Sequence, residues 1–315
     1  MQLLTPSLIF VGYIHMSELQ TAAPLFNTVA LIGIGLIGSS IARAARVRGT
    51  LACRVVANAR TSATLNRVRE LGIADTCELA PEDAVADADC VILCTPVGAF
   101  ASVAESIGPH LKPGAIVTDV GSTKQSAIRD ILPHLPENVH LVPGHPMAGT
   151  EFSGPDAGFS DLFEGRWTLL TPPPGTNPEA IAKMKEFWKR CGAMVSVMDP
   201  GHHDRVVAIV SHLPHLIAFT ICGTADDLAD ETRQEVLQFA ASGFRDFTRI
   251  AASDPVMWRD IFLNNRDALL EMLARFTEDT QAMARAVRWG DAAYIEDKVH
   301  RGRKIRQALI DLKQA

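Results

Sequence analysis

Several features are missing from this 315-residue chain. Its six cysteines, Cys53, Cys77, Cys90, Cys94, Cys191 and Cys222, are scattered and none forms a CxxC pair. That pattern points to reduced thiols and a cytoplasmic setting. There is no excess of positive charge: the net charge is -6 and the pI about 5.9. A chain with that balance is not expected to bind nucleic acid. Its one basic run, KVHRGRKIR, reads as the solvated last turn of a helix. The opening stretch, MQLLTPSLIFVGYIHMSELQ, holds an apolar run too short to span a bilayer and lacks the basic start of a secretion signal. No membrane partner is expected. Residues 1–27 read as a disordered tail, with Met16 as an alternative start. Internal repeats and low-complexity tracts are absent. What remains, 47% hydrophobic and 21% charged residues, is the composition of a globular chain with room for two cores.

The first half alternates short β-branched runs with helical stretches. The runs are TVALIGIG, RVVANA, ADCVILCTPV, AIVTDVGS, VHLVPGHP and RWTLLTPP. Strands alternating with helices make βαβ units, so the expected fold is α/β, a Rossmann-type, doubly wound, mostly parallel sheet over residues 28–199. A further helix is signalled by Asn177 as N-cap, Pro178 at the first helical position and Gly192 beyond its end. From residue 200 to 315 only helical periodicity appears, which predicts a second, all-α domain. Its long apolar helices predict a homodimer joined through that domain.

The first strand runs into Gly33-x-Gly35-x-x-Gly38, which opens a helix. The three glycines permit a tight turn, the approach of a pyrophosphate, and close helix–strand packing. Leu36 and Ile37 begin the helix, whose free N–H groups suit phosphate. A carboxylate for the ribose of NAD is expected about 20 residues on. The count lands on Ala59, and VVANARTS contains no acid. Arg60, Thr61 and Ser62 instead offer a cation and hydroxyls, which suit a 2′-phosphate. NADP is the expected cofactor. The alternative is that Arg60 stacks on adenine and NAD is accepted.

Asp119, Ser122 and Lys124 fall at the carboxyl end of a strand, where ligands bind in such sheets. His145 lies just past another strand, placed to take a proton from a hydroxyl that is losing hydride. Taken alone, it reads equally well as a loop histidine.

The segments GIGLIGSS, CTPV, DVGSTK, GHPMAGTE, SHLPH and GFRDFTRIAASDPVMWRDI, in that order, resemble the prephenate and arogenate (cyclohexadienyl) dehydrogenases of tyrosine biosynthesis. The resemblance covers both halves from about Thr28 onward. It implies NAD(P)-dependent oxidation of the ring hydroxyl of prephenate or arogenate with loss of the ring carboxylate as CO₂. It also implies roles. His145 is the base, and Ser122 hydrogen-bonds the hydroxyl or His145 near the nicotinamide. Thr95 and Pro96 of CTPV join the cofactor set. Arg249 binds a substrate carboxylate, and Arg245, four residues earlier, shares its helix face. His212 and His215 line the substrate cleft, His215 being the better ligand candidate. Asp204 pairs with Arg249 or serves as a helix N-terminal acid. Thr150 and Glu151 follow the catalytic loop, and Trp258 walls the pocket or sits in an interface. No metal is expected, because SHLPH lacks an HExxH pattern and Pro214 distorts the turn. With no regulatory domain apparent, tyrosine would inhibit at the active site.

Two other readings are a β-hydroxyacid-type dehydrogenase and a noncatalytic NADP-binding redox sensor. The first needs a lysine in the helical domain, yet none occurs between Asp199 and Lys298. The second gives no reason to keep His145, Ser122 and Arg249 together.

Overall fold

The computed structural model describes residues 22–150 and 152–312. Most of the proposed N-terminal tail, and Glu151, therefore lie outside the described residues. Six strands form one parallel sheet: β1 (Phe26–Ile32), β2 (Ala52–Asn58), β3 (Thr76–Glu78), β4 (Cys90–Leu93), β5 (Ile116–Asp119) and β6 (His140–Leu141). Their order is 3-2-1-4-5-6. The switch point falls between β1 and β4, and there the carboxyl ends of the strands open a crevice. The tail boundary drawn at residue 27 is corrected, because β1 already starts at Phe26, which is buried.

Both faces of the sheet are covered, which is why β4 and β5 are buried at every residue and read as unbroken apolar runs. One face packs on α1 (Leu36–Arg48) and α2 (Ser62–Leu71). The other packs on α3 (Pro81–Val85), α4 (Phe100–Ile107) and α5 (Lys124–Ile131). The run VHLVPGHP is not one strand. It divides at Val142–Pro143 into β6 and β7 (Gly144–Pro146). β7 pairs antiparallel with β8 (Trp167–Leu170), and β8 pairs parallel with β9 (Met194–Val197), making a second, three-stranded sheet. The helix between β8 and β9, α6 (Pro178–Arg190), starts as expected: the Asn177 side chain accepts from the Glu179 N–H, and Gly192 follows with a left-handed φ of 89°. His145 therefore sits inside a short strand of the second sheet rather than beyond a strand of the first.

From Pro200 onward the described residues are helical, with short turns. α7 (Pro200–Val207) passes through a π-helical segment, Ala208–His212, into α8 (Leu213–Asp226). Pro214 has no N–H to give the carbonyl four residues back, and the helix widens there. The π-bulge has a geometric effect. Residues eight apart in an α-helix, such as Asp204 and His212, lie roughly 80° apart around the axis, and one extra residue per bulge brings them to about 20°. There follow α9 (Asp230–Gln238), α10 (Ser242–Thr248), α11 (Pro255–Asn264), α12 (Arg266–Trp289) and α13 (Ala292–Asp311). KVHRGRKIR occupies the middle of α13, not its last turn, and is largely solvated.

Candidate active site

The glycine turn has the geometry its sequence suggests. Gly33 has φ 96°, and a Cβ there would lie 2.9 Å from the Cys94 carbonyl at the end of β4. At Gly38 a Cβ would meet the Gly33 oxygen at 2.3 Å. Gly35, the N-cap of α1, is different, because nothing lies within 4 Å of its Cβ position. Two glycines thus close the turn and the third leaves open the space a pyrophosphate needs, in front of the N–H groups of Leu36 and Ile37. Thr95, across the crevice, has a buried hydroxyl without a partner among the described residues. An orphaned polar group beside an open cradle fits a dinucleotide.

Past β2, Ala59 is buried and Arg60 is exposed with no hydrogen-bond or ion-pair partner among the described residues. Thr61 is the N-cap of α2, and its hydroxyl oxygen accepts from the Thr64 N–H at 3.2 Å. Ser62 is the first residue of that helix and is exposed.

His145 is held by a chain of hydrogen bonds that starts at a carboxylate. Asp204 is buried on α7. Its Oδ1 accepts from the Lys124 backbone N–H at 2.8 Å, and its Oδ2 from that of Gln125 at 2.9 Å. These are the first N–H groups of α5, so the acid caps a helix of the other domain. The expected pairing with Arg249 does not form. Oδ1 also lies 2.8 Å from His203 Nδ1, and His203 Nε2 lies 2.9 Å from His145 Nδ1. Burial pushes the Asp204 carboxyl up. The His203 hydrogen bond and the two backbone donors outweigh burial and hold it below its ordinary range. The ionised carboxylate can only accept, so His203 donates from Nδ1. Burial keeps His203 neutral, below the ordinary imidazole range, so its Nε2 accepts from His145 Nδ1–H. That fixes the tautomer of His145 and leaves its Nε2 lone pair free to act as a base.

His145 is buried, and its pKa is held well below 6.5, first by burial and then by the neighbouring imidazoles of His203 and His212 and the Lys124 ammonium. Lys124 and Asp119 form a fully buried ion pair beneath it. Lys124 Nζ also donates to the Gly144 carbonyl at 2.6 Å, which ties β7 of the small sheet to the end of β5. Burial raises the Asp119 carboxyl and lowers the Lys124 ammonium, and each partner opposes the other's shift. Ser122 is half-buried on the same loop and makes no hydrogen bond to His145, whose Nδ1 is taken by His203.

A second group surrounds Trp258, which is buried on α11. The His215 ring stacks on it at 3.7 Å between centroids, and the His212 ring stands edge-on at 6.1 Å. His215 Nδ1 donates to the Ser211 carbonyl at 2.9 Å. Its pKa is lowered, chiefly by burial, with Arg249 contributing as a nearby cation. Arg249 is exposed at the start of a 3₁₀ turn, Arg249–Ala252. Arg245 belongs to α10, which ends before Arg249, and its guanidinium is bonded to the Ala240 carbonyl at 3.0 Å. The last turn nevertheless carries through to Arg249, whose N–H donates to the Arg245 carbonyl, so the expected i, i+4 spacing holds in the backbone. Thr150 is exposed, and its hydroxyl accepts from the Phe152 N–H at 3.3 Å. The loop that continues from it is pinned to the cofactor-binding helices. Phe159 N–H donates to Ser40 Oγ at 3.1 Å, Arg43 to the Pro155 carbonyl at 3.2 Å, and Arg67 pairs with Asp156. Among the described residues no group of three His, Cys, Asp or Glu side chains is placed to hold a metal.

Sequence reasoning placed His145, Ser122 and the histidines of SHLPH near one another but gave His203 and Asn265 no role. A histidine followed directly by an acid, at a domain junction, was the available signal for His203. LNNRD carries none for Asn265.

Two matches to family models cover most of the chain. Residues 41–197 match the nucleotide-binding domain of prephenate dehydrogenase, and residues 199–300 its dimerization domain. The first match begins inside α1, so the glycine turn stands on its own geometry. A cyclohexadienyl dehydrogenase of Zymomonas mobilis is 39% identical over 90% of this chain and 97% of its own length. A prephenate dehydrogenase of Bacillus subtilis is 34% identical over 84% of this chain and 71% of its own length. Among solved structures, prephenate dehydrogenase from Aquifex aeolicus, in complex with hydroxyphenyl propionate and NAD+, superposes with a TM-score of 0.82 at 32% identity. That alignment covers 90% of this chain and 98% of the other.

The tautomer relay makes a test. The acid limb of kcat/KM should lie below pH 6.5, because a base with a lowered pKa keeps its lone pair until more acidic pH. Asp204→Asn must turn an N–H toward either a capped backbone N–H or His203, which reverses the relay or breaks the cap. Its kcat should fall about 100-fold or more, the scale of general-base catalysis. Steady-state pH–rate profiles of the two proteins check both statements, and an acid limb above 6.5 in the wild type would contradict the assignment.

Proposed function

We propose, for a chain that belongs to the prephenate dehydrogenase family, that His145 is its catalytic base and that its tautomer, set from Asp204 through His203, is the observation that carries the mechanism. The enzyme is an NAD(P)-dependent dehydrogenase of tyrosine biosynthesis. It oxidatively decarboxylates prephenate to 4-hydroxyphenylpyruvate, arogenate to tyrosine, or both. When bound, the nicotinamide supplies the acceptor for hydride from ring C4. His145 Nε2 takes the proton of the C4 hydroxyl as that carbon becomes carbonyl-like. Loss of the ring carboxylate as CO₂ then restores aromaticity, so the chain's work is positioning and charge placement rather than forcing a bond to break. Ser122 sits on the loop facing that hydroxyl and steadies it. Arg249, with the N–H groups of His212 and Trp258, receives the carboxylates of the substrate, His215 walls the cleft by its stack on Trp258, and Thr150 edges the same cleft. Arg245, committed to Ala240, plays a lesser part.

We assign to the enzyme the acceptance of both substrates, as expected of a cyclohexadienyl dehydrogenase. The assignment is supported by its 39% identity to a protein of that name. Tyrosine, a product analogue, would compete at the same cleft, and inhibition plainly noncompetitive with prephenate would rule that out. A cytoplasmic location follows from a biosynthetic role and free thiols.

The groove between α8 and α12 supports a homodimer. It has a volume of about 440 Å³ and is lined by Leu216, Ile217, Ile221, Leu273 and Phe276. A second copy of the helical domain covers it, and a monomer in light scattering at micromolar concentration would refute this.

Turnover followed at 340 nm with each substrate and each cofactor is the direct test. NADPH or NADH should form, and no product from either substrate would defeat the reading. His145→Asn should lower kcat about 100-fold or more while binding changes little, whereas Arg249→Ala should chiefly raise the substrate KM, about tenfold or more.

NADP is the preferred cofactor in this reading. Arg60 is unpaired, Ser62 starts α2, and the acid expected for a ribose hydroxyl is replaced by buried Ala59. Ala59→Asp with Arg60→Ala should move the NADP/NAD ratio of kcat/KM toward NAD by about tenfold or more, the value of one charged hydrogen bond. An unchanged ratio would remove this stretch from cofactor choice.

A further inference from the structure

Asn265 stands at the junction of α11 and α12 and is buried. Its amide nitrogen lies 2.8 Å from the Asp204 backbone carbonyl and 3.0 Å from His212 Nδ1. The orientation of that amide is decided by chemistry. A carbonyl can only accept, so the group facing it is the NH₂ and not the amide oxygen. One of the two amide hydrogens goes to Asp204 and the other to His212. His212 Nδ1 is therefore an acceptor and carries no hydrogen.

His212 is itself buried, and burial pushes its pKa down to about 4. The ring is neutral at working pH, so its one hydrogen is on Nε2. The geometry of an imidazole sends that N–H away from Asn265. Among the described residues it has no partner, although it is fully buried. The Trp258 indole N–H, on the ring that stands edge-on to His212, is likewise buried and without a partner among the described residues. A buried donor left unpaired costs about 1–3 kcal/mol, so two on adjacent rings call for an acceptor that arrives from outside.

Building on the dehydrogenase reading above, we propose that Asn265 is a positioning residue that fixes His212 as an Nε2–H donor to a carboxylate oxygen of the substrate. His212 is thus the polar opposite of His145. Asp204 governs both rings. Its carboxylate, through His203, leaves His145 with a lone pair, while its carbonyl, through Asn265, leaves His212 with a hydrogen. His215 differs again, because its Nδ1–H is given to Ser211 and its Nε2 is an acceptor in the neutral ring. A neutral donor suits this position. A cation there would add to the charge of Lys124 and Arg249, whereas an N–H binds an anionic oxygen without titrating above pH 5 or so.

The experiment is ¹⁵N NMR of the full-length enzyme labelled at histidine, with His212→Gln used to assign the resonance. Imidazole nitrogen shifts distinguish Nδ1–H from Nε2–H without reference to activity. The wild type should show His212 with hydrogen on Nε2, and that hydrogen should shift when saturating 4-hydroxyphenylpyruvate is added. Hydrogen on Nδ1 in the wild type overturns the proposal, whatever the variants do. Asn265→Asp puts an acceptor opposite Nδ1 and should move the hydrogen there. The prephenate KM should then rise about tenfold or more, with kcat and the cofactor KM within a few-fold of the wild type. Asn265→Leu, which cannot hydrogen-bond, should release the tautomer and raise KM by a smaller factor. A moved hydrogen with an unchanged substrate KM would overturn the link to binding. A wild type that turns over neither substrate would instead defeat the dehydrogenase reading, and the tautomer result would still stand.

Discussion

The site depends on one buried carboxylate. Asp204 takes three hydrogen bonds on its side chain, and its backbone oxygen takes one from the Asn265 side chain besides that from Ala208 within its own helix. Two come from the first N–H groups of α5, which belongs to the dinucleotide domain. The others come from His203, Asn265 and Ala208 of the helical domain. A carboxylate in a low-dielectric interior is costly unless nearly every lone pair is used. Here the groups that satisfy it come from both domains, so the condition that keeps the charge buried also joins the domains at the crevice. Moving either domain by an ångström would break charge-assisted hydrogen bonds rather than slide apolar surfaces. The same requirement sets the direction of each downstream hydrogen bond, because an acceptor at the origin forces a donor at every first contact.

A second buried charge completes the electrostatics. Lys124 is the residue next to the loop that carries Ser122, and its ammonium is enclosed by Asp119 and the Gly144 carbonyl. A pair of this kind contributes little net stability compared with apolar side chains of the same size. Its effect here is on geometry and on proton affinity. It locks the short strand bearing His145 against the end of β5, and its positive end helps keep His145 unprotonated. Burial, the dominant cause, acts in the same direction. In the proposed reaction the base is thus held neutral beforehand, and the conjugate acid it would form is stabilised through His203 by Asp204.

Much of this was legible in the chain because it rests on local rules. The glycine turn, the strand–helix alternation and the change to helical periodicity at residue 200 each reflect short-range sterics or burial period, and the structure keeps them. β3 was missed because TCE is three residues long and only partly buried, too short for any periodic signal. VHLVPGHP read as one strand because Val139, Leu141 and Val142 run directly into Pro143. The proline in fact marks where the chain leaves one sheet for another. The pairing of Asp204 with Arg249 was a charge argument over 45 residues, and backbone N–H groups at a helix start proved the stronger partners. Asn265 could not be read at all. Its role comes from the π-bulge before Pro214, which turns His212 into line with Asp204, and such a register shift depends on three-dimensional packing.

The α7–α8 rod shows how the two functions of the helical domain share one element. Within the span Pro200–Asp226 an 18-residue stretch has a mean hydropathy of 1.8, apolar enough by length and composition to cross a bilayer. Yet His203, Asp204, His212 and His215 project from it into hydrogen-bonded sites, and a row of buried ionisable groups fits a protein crevice rather than lipid. The apolar character belongs to its other side, where Leu216, Ile217 and Ile221 line the open groove with α12. An apolar groove of this kind marks a candidate contact face. A helix that places its polar residues on the crevice and its apolar residues on the groove couples the two. A second copy seated on the groove would stiffen the rod from behind, and the histidines on the opposite side would be held in register by the same contact.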